Sequence, residues 1–208
     1  MSMNFSPANI VALVTAASFA AGLNVYATVL TLGLLARSHW VQLPPGLESL
    51  GHTWVIVTCG VLFSAEFIAD KIPGVDLIWS GLHTFIRVPV AALVAYHASS
   101  QLSPGMQVLA TSLGAAVALA AHGSKTAVRA AVTPSPEPVS NIALSTAEDI
   151  TAVGLTWVAT YHPVWAASVS LVLIAAAVLA ARYLFGKLRR LFSKLRSPGT
   201  SLALPPSP

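Results

Sequence analysis

The residues of this chain that could do chemistry are a small set of charged side chains at the ends of long apolar runs. Only 9% of the 208 residues are charged and 55% are hydrophobic, whereas a soluble domain carries roughly a quarter charged residues. Charges inside membrane spans are costly and usually mark a functional site. Those that fall at one predicted depth are Glu66, Asp70, Lys71, Asp76, Arg87, Lys125, Arg129, Glu137, Glu148 and Asp149.

Helical spacing places several of these side chains next to one another. Glu66 and Asp70 are four residues apart in one predicted helix, which puts both carboxylates on the same face. Similar groups recur in three further predicted helices. They are His83 with Arg87, His122 with Lys125 and Arg129, and the adjacent pair Glu148 and Asp149. The sequence therefore predicts one intramembrane polar site to which four helices contribute.

Carboxylates in such a site have two chemical uses. They are hard oxygen ligands suited to divalent cations such as Ca²⁺, Mg²⁺ or Mn²⁺, and they carry protons when burial raises their pKa toward neutrality. The predicted substrate- or ion-binding residues are Asn24, Glu66, Asp70, Glu148 and Asp149. The predicted supporting charges are Lys71, Asp76, His83, Arg87, His122, Lys125 and Arg129. The sequence identifies no cofactor and leaves the metal open, with a divalent cation as one ligand that the residue types allow.

The same charges also fit a purely structural network, because buried charges in native proteins are mostly paired. The pairs expected in that case are Glu66 or Asp70 with Lys125 or Arg129, and Glu148 with Arg87. Ser145-x-x-Glu148 also matches a capping box at the start of a helix. Both interpretations stay open on the sequence alone.

The apolar runs predict an all-α integral membrane protein with six transmembrane helices. The predicted spans are 8–36, 53–70, 85–100, 106–130, 142–161 and 163–185. They form a transmembrane domain over residues 1–186, which a basic amphipathic helix (187–196) and a disordered tail (197–208) follow. The expected partners are the lipid bilayer and, at the basic helix, anionic lipids. Nucleic acid is not an expected partner, and the oligomeric state is left open.

Basic residues orient this arrangement. With both termini in the cytoplasm, ten of the eleven Lys and Arg residues lie inside and only Arg37 lies outside, as the positive-inside rule expects. Trp40, Trp54, Trp157 and Trp165 then fall at the outer ends of spans, where amphipathic rings favour the interface. The sequence predicts a multi-pass protein of the inner (plasma) membrane with both termini cytoplasmic.

The first predicted span is too long for a simple crossing. Its 29 residues would reach about 43 Å as a helix, against a hydrocarbon core of about 30 Å. Near its middle stands Ala21-Gly22-Leu23-Asn24. Either the helix tilts, with Gly22 allowing close packing, or it breaks near Gly22 and turns backbone groups toward a protein-lined cavity.

A weak internal similarity relates two segments that are 65 residues apart. Asp76 corresponds to Asn141 and Ser80 to Ser145, and the pair 83–84 corresponds to the pair 148–149. Duplicated halves with broken helices are a recurrent plan of transporters.

Four stretches of the chain resemble a known family. They are Ala21–Thr28, Glu66–Asp76, His83–Arg87 and Ser135–Asp149. Together they are similar to a bacterial membrane family known as domain of unknown function 4126, over nearly the whole chain to about residue 185. The resemblance groups these motifs and implies no activity.

Glu66 and Asp70 also resemble part of the Glu-x-Gly-Asp-Lys-Thr motif of cation/proton exchangers. Here the two acids are four residues apart instead of three, no glycine lies between them, and Ile72 replaces the hydroxyl residue. This similarity favours a cation as the ligand.

Three functions fit these features. A small secondary transporter or exchanger of a cation or small polar solute would use the carboxylates as its site, with Asn24 at the break. A non-transporting scaffold or assembly partner would need the charges only as internal ion pairs. A membrane-embedded enzyme acting on a lipid head group would use His83 or His122 as acid or base. Transport is favoured over the scaffold because charges inside membrane spans often mark ion or substrate pathways. It is favoured over the enzyme because the chain has no Gly-x-Ser-x-Gly, His-Glu-x-x-His or Gly-rich phosphate motif.

Overall fold

The computed structural model describes residues 6–72, 75–132 and 138–196, which contain seven α-helices and one 3₁₀ helix but no strand. The α-helices are α1 Pro7–Leu23, α2 Val25–Ser38, α3 Thr53–Ala69, α4 Val75–Ala98, α5 Pro104–Val132, α6 Pro138–Tyr161 and α7 Pro163–Arg196. The 3₁₀ helix, Pro45–Gly51, lies between α2 and α3. The prediction of an all-α protein is confirmed.

Helix α1 lies at the centre of the bundle, in contact with α4, α5, α6 and α7. It is apolar or small on every side, as a helix surrounded by protein should be, and every residue from Leu13 to Gly22 is buried. A Cβ atom on Gly22 would lie 2.5 Å from the carbonyl oxygen of Ala118 in α5. Gly114 of α5 is equally constrained, because its Cβ would lie 2.8 Å from Ser18 Oγ. The two glycines allow α1 and α5 to pack against each other.

The helical path is interrupted at Asn24, between α1 and α2. Asn24 has an extended backbone (φ −149°, ψ 103°), and its Oδ1 accepts a hydrogen bond from the Ala27 backbone N–H at 2.9 Å. An asparagine side chain in this position caps the first turn of the following helix. The long first segment therefore breaks instead of tilting, two residues after Gly22, and Gly22 itself serves close packing.

Helices α1, α5 and α7 start side by side and run in the same direction. Pro7, Met106 and Val164, from the first turns of these helices, line one groove. Helix α4 finishes at the same level, since Gln107 Nε2 donates a hydrogen bond to the carbonyl oxygen of Tyr96 at 3.0 Å. We call this the N-terminal end of the bundle.

Helix α2 returns to the N-terminal end after the break. Gly33 of α2 lies against Leu50 of the 3₁₀ helix, and Gly46 at the other end of that 3₁₀ helix lies against the backbone of His97 near the end of α4. The two halves of the broken helix therefore form a helical hairpin, with its turn at Asn24 inside the protein. The prediction that residues 8–36 make one crossing is not confirmed, because a single straight span would carry α2 away from α4's last turn.

Within the part of the chain that the structure describes, two helices are long and apolar enough to cross a membrane, over residues 104–129 of α5 and 163–180 of α7. A third qualifies if the 3₁₀ helix and α3, which meet at an angle of 69°, are taken as one span. Six crossings are not confirmed. Helices α4 and α6 do lie on predicted spans, but the polar residues within them lower their mean hydropathy. Both are 24 residues long, and the internal duplication that involves them stays a prediction.

The direction of α7 relative to α1 determines at which end of the bundle the last described helix finishes. Helix α7 starts beside α1 at the N-terminal end and is 34 residues long without interruption, which corresponds to about 51 Å. It passes through the predicted domain boundary at 186–187 as one helix, and residues 197–208 lie outside the described residues. Because α1 starts where α7 starts, the start of α1 and the finish of α7 are at opposite ends. The expected arrangement with both termini on one side of a membrane stays a prediction, because residues 1–5 and 197–208 lie outside the described residues.

Cysteine labelling tests the hairpin directly. In a Cys59→Ala background, single cysteines at Ala8 and Pro45, both exposed, should react with a membrane-impermeant maleimide from the same side of the membrane. A cysteine at Ile72, exposed after α3, should react from the opposite side. Labelling of Ala8→Cys and Ile72→Cys from one side would instead restore the six-span arrangement.

Candidate functional site

Four helices bring charged side chains into one buried cluster beside the break at Asn24. Helix α3 and the turn after it provide Glu66 and Asp70, α4 provides Arg87, α5 provides Lys125 and Arg129, and α6 provides Glu148 and Asp149. All seven side chains are buried, and Glu66, Asp70, Arg87 and Arg129 are completely inaccessible. We call these seven residues the ion network. They comprise four carboxylates and three cations.

Lys125 lies at the centre of the ion network, with its ammonium group among four oxygen atoms. Its Nζ atom is 2.9 Å from Asp70 Oδ2, 3.2 Å from Glu148 Oε2 and 3.9 Å from Glu66 Oε1. It also donates a hydrogen bond at 3.0 Å to the carbonyl oxygen of Leu23, the last residue of α1. We call these four oxygens the Lys125 cage. One lysine thus connects the end of α1 to α3 and α6.

Arg129 joins two carboxylates from different helices. Its Nη2 atom is 3.0 Å from Asp70 Oδ2 and 2.5 Å from Glu148 Oε2. Its Nη1 atom donates to the Asp70 carbonyl oxygen at 3.2 Å, and its Nε atom donates to Glu148 Oε1 at 3.4 Å. Several donors in a planar fork make arginine suited to this bridging role.

Arg87 pairs with Glu66 through Nη2 and Oε1. Its Nη1 atom lies 2.9 Å from His122 Nδ1, and His122 Nε2 lies 2.7 Å from Thr84 Oγ1. Since arginine can only donate, His122 Nδ1 accepts and the ring proton is on Nε2. The predicted pair of Glu148 with Arg87 is wrong, because the guanidinium of Arg87 is directed toward α3 and α5 and Glu148 pairs with Arg129 and Lys125.

Asp149 differs from the other three carboxylates because a neutral group holds it. Its Oδ1 atom accepts a hydrogen bond from Asn24 Nδ2 at 2.8 Å, and its Oδ2 atom is buried without a hydrogen-bond partner. Among the described residues no Lys or Arg nitrogen lies within ion-pair distance of it. Asn24 was expected to offer an oxygen ligand, but its oxygen caps α2 and its amide N–H faces the carboxylate.

The remaining predicted residues lie around the ion network or outside it. His83 is buried beside it, with Nδ1 2.8 Å from the Trp79 carbonyl oxygen and its ring stacked on the Trp79 indole. Lys71 lies in the turn after α3 with its ammonium group 2.9 Å from the centre of the Phe67 ring, and partial burial lowers its pKa. Asp76 is in the first turn of α4, and Glu137 lies outside the described residues.

Sequence reasoning missed three residues at this site. Tyr26, at the start of α2, makes an edge-to-face contact with the His83 ring at 5.6 Å. Thr84 binds His122, and Ser145 is fully buried with no partner for its hydroxyl. The capping-box interpretation of Ser145 is wrong, because α6 starts seven residues earlier at Pro138. The sequence signal that could have identified Tyr26 is its own position, as a polar residue two positions after Asn24.

Within the described residues, no group of three or more His, Cys, Asp and Glu side chains is arranged to hold a metal ion. The physical reason is visible in the Lys125 cage, where the ammonium group occupies the space that three carboxylates share. The ion network keeps charged side chains buried away from water. Among the described residues, Asp149 is the carboxylate of this network without a Lys or Arg nitrogen within ion-pair distance.

Residues 11–183 match the model of a family described as a domain of unknown function, DUF4126. The chain belongs to the DUF4126 family. The match includes all of the hairpin except the first four residues of α1, and every residue of the ion network. No curated protein and no solved structure matches the sequence.

Removing one side of a buried pair in this DUF4126 domain should be much worse than removing both. Glu66→Leu leaves the Arg87 guanidinium buried without its carboxylate, and such a loss costs about 3–5 kcal/mol. The double variant Glu66→Leu/Arg87→Met should recover most of this loss, as measured by thermal unfolding in detergent. Arg37→Met, which changes an exposed cation bound to Thr53, is the control and should change stability by less than about 1 kcal/mol. Equal destabilisation by the single and double variants would contradict the assigned pair.

Proposed function

We propose that this protein is a small secondary transporter or exchanger of a cation or small polar solute. The observation that carries the proposal is the break in the central helix beside a buried carboxylate that has no cation partner. Asn24, Asp149 and the Lys125 cage form the proposed site, and Arg87 and Arg129 hold the other carboxylates in place. A divalent cation stays among the cargoes that a transport assay must include.

The broken helix supports transport for a physical reason. Backbone polar groups freed at a break inside a membrane need partners, so such breaks persist where they line a site or a cavity. In many transporters the ends of discontinuous helices form the substrate and ion sites near the middle of the membrane. Here α1 finishes and α2 starts within hydrogen-bond distance of the ion network, at Leu23 and Asn24.

The outer surface of the bundle supports five crossings, by helices α3 to α7, around the helical hairpin. On α4, Phe85 is 82% exposed while Arg87, two residues along, is fully buried. Helices α3 and α7 likewise expose apolar side chains, among them Val61 and Leu179. A chain that is apolar outside and charged inside is suited to a lipid environment. The polar residues of such a helix lower its mean hydropathy, but they face the protein interior and not the lipid.

Basic residues support an orientation with the ion network nearer the cytoplasm of an inner membrane. Lys71 and the last turns of α5 and α7 are at that end of the bundle, whereas Arg37 is at the N-terminal end. This distribution follows the positive-inside rule. Trp40, Trp54 and Trp165 are all highly exposed, as side chains at a membrane interface would be.

A scaffold with purely internal ion pairs is the second candidate. The observation that favours it is the pairing of Glu66, Asp70 and Glu148, each of which has at least one cation within 4 Å. Asp149 separates the two candidates, because nothing in a structural network requires a fourth carboxylate without a cation.

Asp149→Asn provides the decisive measurement. The substitution leaves no cation unpaired, so it should change thermal stability by only a few degrees, yet it removes the charge from the proposed site. In proteoliposomes that contain the purified protein, cation- or proton-driven flux should fall at least about tenfold, the effect of losing about 1.4 kcal/mol of ion-binding free energy. The assay would include protons, monovalent cations, Ca²⁺, Mg²⁺ and Mn²⁺.

The matched control is Asp149→Glu, which keeps the charge and should retain part of the flux. Flux that is unchanged in Asp149→Asn would place transport elsewhere in the protein. Absence of any flux in the natural protein, together with full stability of Asp149→Asn, would favour the scaffold.

The basic end of α7 is proposed to contact anionic lipids, each nearby cation contributing about 1 kcal/mol. Its Lys and Arg residues continue one helix beyond the span of 163–180. A phosphatidylglycerol should therefore raise Tm more than a phosphatidylcholine with the same chains. Changing Lys187, Arg189 and Arg190 to Gln should remove most of that difference. An unchanged difference would assign the lipid preference to another surface.

A further inference from the structure

We propose that the Lys125 cage is a binding site for a small monovalent cation, and that the Lys125 ammonium group is the occupant that the protein itself provides in this conformation. The inference deepens the proposed transport function by naming the class of cargo, and it rests on that function for its physiological use. The observations that carry it are the identity of the four oxygens, their separate origins in the fold and the charge balance around them.

The oxygens of the cage are of the kind that bind alkali and ammonium cations. Three belong to the carboxylates of Glu66, Asp70 and Glu148, and the fourth is the Leu23 carbonyl at the carboxyl end of a half-helix. The carboxyl end of a helix carries partial negative charge, and such ends contribute to cation sites in discontinuous membrane helices. The main-chain carbonyl comes from α1, so the cage is more than a group of acidic side chains.

One further oxygen is available beside the cage. Glu66 is completely buried, and its Oε2 atom has no hydrogen-bond partner in the structure. A buried carboxylate oxygen without a partner is costly. A cation that is free to choose its position among these oxygens can reach Oε2, whereas the tethered Lys125 ammonium lies nearest to Asp70.

Charge balance favours a single positive charge over two. With Lys125 protonated and Asp149 included, the ion network carries four negative and three positive charges, a net charge of −1. One monovalent cation restores neutrality, and a divalent cation leaves an excess. An ion that enters the natural site has to displace the Lys125 ammonium, which makes the cage suited to exchange of one cation against another.

Chemical rescue of Lys125→Ala tests the cage without any transport assay. Methylammonium reproduces the terminal carbon and ammonium group of the side chain that the substitution removes. In the purified full-length variant, methylammonium chloride at about 100 times its Kd should raise Tm by about 5–10 °C. Tetramethylammonium chloride at the same concentration supplies equal ionic strength but cannot approach the oxygens closely, so it should leave Tm unchanged. Equal effects of the two salts would overturn the proposal.

Two further variants keep the test decisive. Lys71→Ala removes a lysine that lies outside the cage, and its Tm should respond to neither ion. Lys125→Ala/Glu148→Gln removes one positive and one negative charge, leaving Glu66 with Arg87 and Asp70 with Arg129, so its dependence on methylammonium should disappear. If Lys125→Ala folds only in methylammonium, the proposal is supported. Two results would show that the proposal is wrong. In one, Lys125→Ala fails to fold in methylammonium although the double variant folds without the ion. In the other, the double variant still needs the ion.

The outcome is separable from that of the proposed transport function. Rescue by methylammonium combined with no flux in the natural protein would establish the cation site and reject transport. Flux in the natural protein without any rescue would keep transport and move the cation to Asp149 or to another site.

Discussion

The position of Lys125 is the constraint on which the rest of the structure depends. Helix α1 finishes inside the protein, where its last carbonyl groups have no water to bind and would be costly without a donor. The Lys125 ammonium donates to one of them, at Leu23, and is itself stabilised by carboxylates from α3 and α6. A buried ammonium requires the acids and the buried helix end requires the ammonium, so the break and the ion network can exist only together.

This mutual dependence explains why the two sides of the break are held differently. The α1 side is fixed by a charged group within a network of ion pairs. The α2 side is fixed by neutral groups, since Asn24 caps α2 with its oxygen and holds Asp149 with its amide. The Asn24 amide is neutral and donates a single hydrogen bond to the Asp149 carboxylate, whereas both partners of each Lys125 ion pair are charged. The end of α1 is therefore held by more charged contacts than the start of α2, which lies next to the carboxylate without a cation.

The sequence predicts features that depend on neighbouring residues better than features that depend on packing between helices. Spacing of four residues correctly put Glu66 with Asp70 at the end of one helix, and the order of apolar runs located α3 to α7. The partners of each charge depend on how the helices pack, so the pair of Glu148 with Arg87 was wrong and that of Arg87 with Glu66 was not foreseen. Window hydropathy cannot tell that Arg87 faces inward while Phe85 faces outward, and it reads the two half-helices of the hairpin as one long span.

The hairpin of α1 and α2 follows from non-local packing that no sequence pattern within residues 8–36 predicts. Helix α2 returns because the 3₁₀ helix connects Gly33 to the last turn of α4, and because glycine at 33 and at 46 lets backbones approach to distances that a Cβ atom would prevent. Asn24 alone marks the turn in the sequence, as a residue that both caps a helix and tolerates an extended backbone. Its amide must also meet a carboxylate 125 positions later in the chain. A single asparagine therefore carries the local signal for the break, while the direction of the chain after it is set by contacts with α3, α4 and α6.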